Sequence, residues 1–154
     1  MSVSVREADF DVGAEIAALS VEGGDAGAVA SFVGLVRRDR SAGGIRAMTL
    51  EHYPGMTEKA LAEIVAEARR RWPLMAVRVV HRVGRLLPGD RIVLVAVSSS
   101  HRQAAFAGCE FIMDYLKTRA PFWKREETAL GSRWVDARES DDDALRRWAG
   151  SENS

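Results

Sequence analysis

The chain has 154 residues, the size of one domain, and can bury a sizeable hydrophobic core without disulfides or a structural metal. Its 22 basic and 22 acidic side chains cancel, so no overall charge attracts it to nucleic acid or to an anionic membrane. The single cysteine, Cys109, excludes an intrachain disulfide and a thiolate metal cluster and fits a reducing compartment. Residues 1–10 lack an apolar signal core, and no apolar run approaches the ~18 residues that cross a membrane, which predicts a cytoplasmic protein.

The first third of the chain reads as short strands with one helix between them. Residues 2–8 alternate as an edge strand does, and Asp11 is placed to cap a helix that ends at Leu19, with Ile16 and Leu19 facing inward. The segments that follow are a Gly/Asp turn at 22–27, a buried strand at 28–36, a polar loop at 38–44 and a strand at 45–53.

The rest of the chain contains two longer helices. Pro54 suits a first helical turn, and helical spacing of apolar residues continues to about Trp72, where Pro73 ends the helix. The next segments are a strand at 75–83, a turn at 87–90, an apolar strand at 91–98 and a helix from about 101 to 119 that Pro121 ends. Last come a short polar-aromatic segment at 122–127, a final strand at 133–137, an acidic run at 141–143, a short helix and a tail after about 148 that we expect to be disordered.

These elements predict a mixed α+β fold in a single domain of residues 1–154. The strands come in pairs with hairpin-like turns rather than in strict β-α-β alternation. No internal repeat, linker or low-complexity segment divides the chain.

Three segments carry the side chains most suited to chemistry. The sequence SSSHR at 98–102 ends a strand and begins a helix, where exposed N–H groups, His101 and Arg102 favour an anion; a plain serine cap with two solvated side chains fits equally. Lys117 lies in the last helical turn and Lys124 on a Pro-Phe-Trp corner, although the helix dipole alone favours a lysine at 117. Arg37 lies at the end of a buried strand. This position is typical of residues that line a pocket, but an ordinary surface arginine fits it as well.

Other residues read as structural. Cys109 falls on the apolar face of its helix and is expected in the core. His52 and His81 alternate within strands without metal-ligand spacing, so we expect no metal site. No phosphate-binding glycine loop, CxxC pair or nucleophile elbow is present.

Several of these segments, in order and across nearly the whole chain, resemble the molybdopterin synthase large (catalytic) subunit family. They are FVGLVR at 32–37, LEHYPGM at 50–56, HRVG at 81–84, PGD at 88–90, HRQAAF at 101–106, FIMDYLKTRAPFWKRE at 111–126 and WVDAR at 134–138. The resemblance implies an α/β-hammerhead fold with an additional antiparallel β subdomain. It implies a homodimer of this chain within a heterotetramer, with a small ubiquitin-like subunit whose C-terminal thiocarboxylate donates sulfur to cyclic pyranopterin monophosphate, and no cofactor.

The resemblance also implies roles for individual residues. Lys117 and Lys124 match the family's catalytic lysines. The substrate-binding positions it implies are Leu35, Val36, Arg37, His101, Arg102, Lys117, Lys124, Arg125 and Glu126, and further pocket positions are Phe32, Met113 and Arg138. Leu35 stands where some relatives carry lysine, so only its backbone is expected to contact substrate.

Helix geometry adds a hypothesis about how the pocket is built. Lys117 follows Arg102 by 15 residues, or ~22 Å along one helix, which is too far for both to contact one small pterin. We therefore expect each pocket to take His101 and Arg102 from one chain and the two lysines from its dimer mate.

Three other functions fit parts of the sequence. They are a non-catalytic module that docks a ubiquitin-like tail, a phosphate-ligand or RNA-binding domain at the His101 end, and a persulfide enzyme that uses Cys109. Zero net charge and the absence of a stacking-rich basic surface count against RNA.

Overall fold

The structure is a computed structural model that describes residues 3–22, 24–38 and 44–135 together with Arg146, Trp148 and Ala149. Within these ranges, no helix is long and apolar enough to cross a membrane. The last part of the predicted final strand, the acidic run and Arg138 lie outside the described residues.

Three helices and eight strands make up the part of the chain that the structure describes in these continuous ranges. In chain order they are β1 Val3–Arg6, α1 Val12–Glu22, β2 Ala28–Leu35, β3 Ile45–His52, α2 Met56–Arg71, β4 Leu74–Arg82, β5 Gly84–Leu86, β6 Arg91–Ser99, α3 Arg102–Arg119, β7 Phe122–Thr128 and β8 Gly131–Val135. The prediction of a mixed α+β fold is confirmed.

The strands form two four-stranded sheets. Sheet A has the order β1-β4-β6-β2, with β1 parallel to β4 and the other pairs antiparallel. Sheet B has the order β5-β3-β7-β8 and is antiparallel throughout, as expected for the additional subdomain. The edge position predicted for the first strand is confirmed, and β2 forms the opposite edge of sheet A.

The main core lies between sheet A and the helices α2 and α3. The buried strand β6 supplies Val93, Val95 and Val97 to it, and α3 supplies Phe111 and Ile112, each fully or almost fully buried. The strongly apolar sequence of β6 fits a central strand covered on both faces, because α1 packs on the other face through Leu19.

Several element boundaries differ from the sequence prediction. Asp11 does cap α1, its Oδ1 accepting from the Ala14 N–H at 2.9 Å, but the helix continues three residues past Leu19. Helix α2 begins at Met56 rather than at Pro54, because Gly55 adopts a positive φ of 85° at the N-cap and keeps the proline outside.

The segment at 122–127 is also more regular than predicted. It forms the seven-residue strand β7, held between β3 and β8, while β8 begins at Gly131 and not at Arg133. The short strand β5 was not predicted at all. Both β5 and β7 pair with β3, and this pairing stabilises a strand conformation that their own sequences favour only weakly.

Candidate functional site

Lys117 lies in the last turn of α3 with its side chain exposed. The helix ends at Arg119 because Ala120 turns to an extended conformation before Pro121. No carboxylate of the described residues forms an ion pair with Lys117. The side chain of Lys117 therefore reaches solvent at the end of the helix without a carboxylate partner among the described residues.

The charge of Lys117 acts on a buried histidine, His81, at the end of β4. The His81 ring stacks on the Phe122 ring with centroids 3.8 Å apart and planes inclined by 17°. Its Nδ1 lies 2.8 Å from the carbonyl oxygen of Arg82. Burial lowers the pKa of His81 to about 4; the hydrogen bond to Arg82 opposes this shift, and the charges of Lys117 and His52 add to it. The ring is therefore neutral near pH 7.

Lys124 lies on β7, two residues after Phe122 and on the same face of the strand. Residues two apart on a strand point the same way at a spacing of ~6.6 Å. Lys124 is half-buried and stands opposite Leu50 of β3 and Val135 of β8. Lys117, which acts electrostatically on His81, and Lys124, which follows Phe122 by two residues, therefore belong to different elements that join at the His81–Phe122 stack.

The two residues after Lys124 point to opposite faces of sheet B. Glu126 shares the Lys124 face, is buried, and accepts a hydrogen bond from Arg133 at 3.4 Å. Arg125 lies on the other face opposite Trp134, with its guanidinium carbon 5.9 Å from the centre of that indole. The Arg125 Nε is buried and has no hydrogen-bond partner among the described residues. The structure therefore brings Glu126, but not Arg125, to the side of Lys124.

The end of β2 lies at the same end of sheet A as Lys117. The Val36 N–H donates to the Asp90 carbonyl, and the Val36 carbonyl accepts from the Gly89 N–H, both at 2.9 Å. Val36 is buried against Leu50, the residue opposite Lys124, whereas Leu35 and Arg37 are exposed. Arg37 therefore follows β2 at the end of sheet A where α3 ends, with its side chain exposed.

His101 and Arg102 lie at the opposite end of α3. Helix α3 runs back along β6, since the Cys109 thiol contacts the Val95 carbonyl at 3.7 Å while Lys117 acts on His81, which pairs with Val93. Arg102 at the start of the helix is thus 15 residues, or ~22 Å along the axis, from Lys117.

A close contact fixes the backbone that leads into that helix start. The Gly27 N–H donates to the Ser99 carbonyl at 2.9 Å, and a Cβ at Gly27 would lie 2.1 Å from the Ser100 carbonyl oxygen, so only glycine fits. His101 occupies the N-cap without a capping hydrogen bond from its side chain and is exposed, as is Arg102. The N-terminal end of α3, which carries His101 and Arg102, is therefore exposed to solvent in the single chain.

The further pocket positions fall in different environments. Phe32 is 42% exposed on the edge strand β2, opposite Val95. Met113 is buried in the main core. The expected core position of Cys109 is confirmed, and burial raises the pKa of its thiol to about 11. No cluster of three or more His, Cys, Asp or Glu side chains in the described ranges is arranged to hold a metal.

Sequence reasoning set His81 aside, although a signal was present. Val77, Val79 and His81 follow one face of β4, and the first two are buried in the main core. A histidine in a row of buried apolar side chains is unusual, because its ring nitrogens need hydrogen-bond partners there.

Comparison with known proteins gives consistent matches over most of the chain. A family model described as the MoaE protein matches residues 5–119. The molybdopterin synthase catalytic subunit of Ralstonia nicotianae is 63% identical over 147 residues, which cover 96% of this chain and 84% of that protein. The structure of a molybdopterin biosynthesis MoaE protein from Burkholderia ambifaria is 60% identical with a TM-score of 0.83, covering 96% and 97% of the two chains. Molybdopterin synthase from Staphylococcus aureus, at 31% identity, superimposes with a TM-score of 0.81 over 88% of this chain and 98% of that one.

Proposed function

This chain belongs to the MoaE protein family, and we propose that it acts as the catalytic subunit of a molybdopterin synthase. It transfers sulfur from the C-terminal thiocarboxylate of a small ubiquitin-like subunit to cyclic pyranopterin monophosphate and so builds the dithiolene of molybdopterin. The proposal includes a cytoplasmic location, which fits the reduced state expected of a single cysteine.

The observation that carries the assignment is the approach of two amines, Lys117 and Lys124, to one aromatic pair. Lys117, at the end of α3, acts electrostatically on His81, and Lys124 lies on β7 two residues after Phe122, the ring that stacks on His81. Arg37, exposed at the end of sheet A where α3 ends, supplies a cation for the substrate phosphate. This arrangement provides positive charge, and the sulfur nucleophile comes from the partner subunit rather than from a thiol of this chain.

The chemistry needs that kind of site. When the thiocarboxylate sulfur attacks the pterin precursor, and when water later releases the carboxyl group of the small subunit, negative charge develops on oxygen. Ammonium groups held in place stabilise that charge. Either lysine also serves as a general acid or base if its proton is shared with the reacting atoms.

The source of sulfur is consistent with the state of Cys109. Its thiol is buried, and the raised pKa of about 11 keeps it protonated and unreactive near neutral pH. A persulfide enzyme needs an accessible thiolate, so sulfur carried by a partner subunit fits this chain better.

We further propose that the working unit is a dimer of this chain with shared pockets. His101 and Arg102 lie a helix length from the lysines of their own chain, so a second chain in the opposite orientation brings them to those lysines. Edge strand β2 offers a surface for that contact because Val29, Phe32 and Leu35 are exposed along it. Antiparallel pairing of two β2 edges about a two-fold axis matches the start of one strand to the end of the other.

Reconstitution tests the function directly. The chain is incubated with a thiocarboxylated small subunit and cyclic pyranopterin monophosphate, and molybdopterin is measured. Lys117→Ala and Lys124→Ala are expected to lose conversion by ~10²-fold or more. Lys59→Ala is the matched control, because Lys59 is the one other lysine in the sequence and is exposed on α2.

The outcomes separate the main proposal from its rivals. A chain that binds the small subunit but retains full conversion as Lys117→Ala and Lys124→Ala is a docking module, and the catalytic assignment is wrong. Loss of conversion in Cys109→Ala, with the fold intact, supports the persulfide enzyme instead.

A further inference from the structure

His81 occupies a position where an apolar side chain satisfies every packing requirement. It continues the row of Val77 and Val79 on β4, and its cross-strand partners are Val5 of β1 and Val93 of β6. Its face stacks on Phe122 of β7. A phenylalanine fits that environment without the cost of burying an imidazole, so packing alone does not account for the histidine.

The polar atoms of the ring are arranged asymmetrically. Nδ1 faces the Arg82 carbonyl at 2.8 Å, and a carbonyl oxygen only accepts, so Nδ1 carries the proton. The neutral ring then has a lone pair on Nε2. No described residue donates a hydrogen bond to Nε2. His81 as a whole is only 5% exposed, but Nε2 is not among the fully buried, unpartnered side-chain atoms of the described residues, so the protein holds an oriented acceptor that a donor can reach.

Two charged or titratable groups act on this ring. Lys117 and His52 act on it electrostatically, and the last turn of α3, which carries Lys117, leads through Ala120 and Pro121 directly into Phe122, the ring that stacks on His81. The residues paired with His81 on β1 and β6, and Phe122 on β7, are apolar. Lys117 is the group whose donors match the lone pair. It also has no carboxylate partner in the described part of the chain, as noted above.

We propose that His81 is a positioning residue for Lys117. In the assembled, substrate-loaded site, Nε2 of His81 accepts a hydrogen bond from the Lys117 ammonium group. This role rests on the proposed function. A neutral acceptor orients the lysine without cancelling its charge, whereas a carboxylate in the same place neutralises the field that the reaction needs. The stack on Phe122, two residues before Lys124, also ties that orientation to the second lysine.

The first test is a double-mutant cycle in the reconstituted enzyme with thiocarboxylated small subunit and cyclic pyranopterin monophosphate. His81→Phe keeps the stacked ring and removes the acceptor. We expect kcat to fall ~10- to 100-fold with KM changed by less than about three-fold, a smaller loss than removal of a directly acting donor causes. In a Lys117→Ala background, His81→Phe is expected to cause no further loss, because the two side chains act as one unit.

His52→Phe is the matched control, since it makes the same exchange on the other histidine near Phe122, with ring centroids 6.4 Å apart. We expect it to retain conversion within about three-fold. If His81→Phe retains full kcat, or if its loss multiplies with that of Lys117→Ala, the positioning role is wrong. If Lys117→Ala is itself fully active, the proposed function fails first, and the two failures are thus distinguished.

A second measurement needs neither a His81 variant nor activity. Nitrogen chemical shifts of labelled histidine in the assembled enzyme with cyclic pyranopterin monophosphate bound identify which ring nitrogen of His81 carries the proton. We expect a protonated Nδ1, a bare Nε2, and a change at Nε2 in Lys117→Met but not in Lys59→Met. A protonated Nε2, or an Nε2 signal that does not respond to Lys117→Met, overturns the proposal.

Discussion

A chain with Arg102→Ala and a chain with Lys117→Ala, produced together, offer a decisive test of the shared pocket. Each substitution removes a charge from one end of α3, and each homodimer carries the same defect in both pockets. The two ends are ~22 Å apart along the helix, so one small substrate contacts both groups only if they come from different chains. In the mixed dimer, one pocket receives both defects and the other receives none.

The expected recovery follows from counting pockets. Random assortment of equal amounts gives half of the dimers as mixed species, and each of these has one intact pocket of its two. The mixture should therefore show about one quarter of wild-type conversion, and purified mixed dimers about one half. Pockets formed within single chains give no intact site in any species.

The assay is molybdopterin formation by dimers purified through two different affinity tags, one on each chain. The matched control mixes Lys117→Ala with Lys124→Ala, because both lysines of a pocket belong to one chain and every mixed pocket lacks one of them. Recovery in the first mixture but not in the second supports the arrangement. Conversion no higher than that of either mutant alone in the first mixture, with mixed dimers present, refutes the reasoning.

Three further predictions concern stability and the thiol. Cys109→Ala should retain sulfur transfer and cost at most about 2 kcal/mol of unfolding free energy, measured by urea denaturation beside the conversion assay; lost activity in a folded protein contradicts it. The pKa of His81 is about 4 in the native state against 6.5 ordinarily, so the unfolded chain takes up the proton first. The contribution of His81 to stability should be constant above about pH 6.5 and fall by about 3 kcal/mol as the pH drops toward 4. His81→Phe should remove that part of the pH dependence in urea titrations at pH 7 and 4.5, and an unchanged slope counts against it. Gly27→Ala should cost about 1–3 kcal/mol, because its Cβ would lie 2.1 Å from the Ser100 carbonyl; Gly13→Ala in α1, where the added carbon makes only ordinary contact at 3.4 Å, is the control and should be neutral or stabilising.

The elements with a strong periodic signal were predictable from sequence. The apolar run of β6 and the long helix α3 lie within one or two residues of the predicted ranges, because their burial imposes the pattern directly. Strand β7 was not recognised as a strand. It alternates Phe122, Lys124 and Glu126 with Trp123, Arg125 and Glu127, and charged side chains disfavour strands unless neighbouring strands hold them.

The site was predictable in part and for a different reason. Local chemistry singled out Lys117, Lys124 and Arg37 as candidates but left each of them with an ordinary surface interpretation, and their proposed roles come from the family resemblance. The His81–Phe122 stack joins residues far apart in the chain, on β4 and β7. Nothing in the local pattern around either residue indicates the other, so only the packing of the two sheets reveals it.

The sealed environment of Cys109 has a practical consequence for spectroscopy. Because it is the one thiol in the chain and is both buried and protonated, a cysteine introduced at an exposed position becomes the sole target of a maleimide dye under native conditions. Phe106 of α3, 65% exposed, is one such position. Distances between copies of the chain during turnover are then accessible to fluorescence energy transfer in the otherwise unaltered protein.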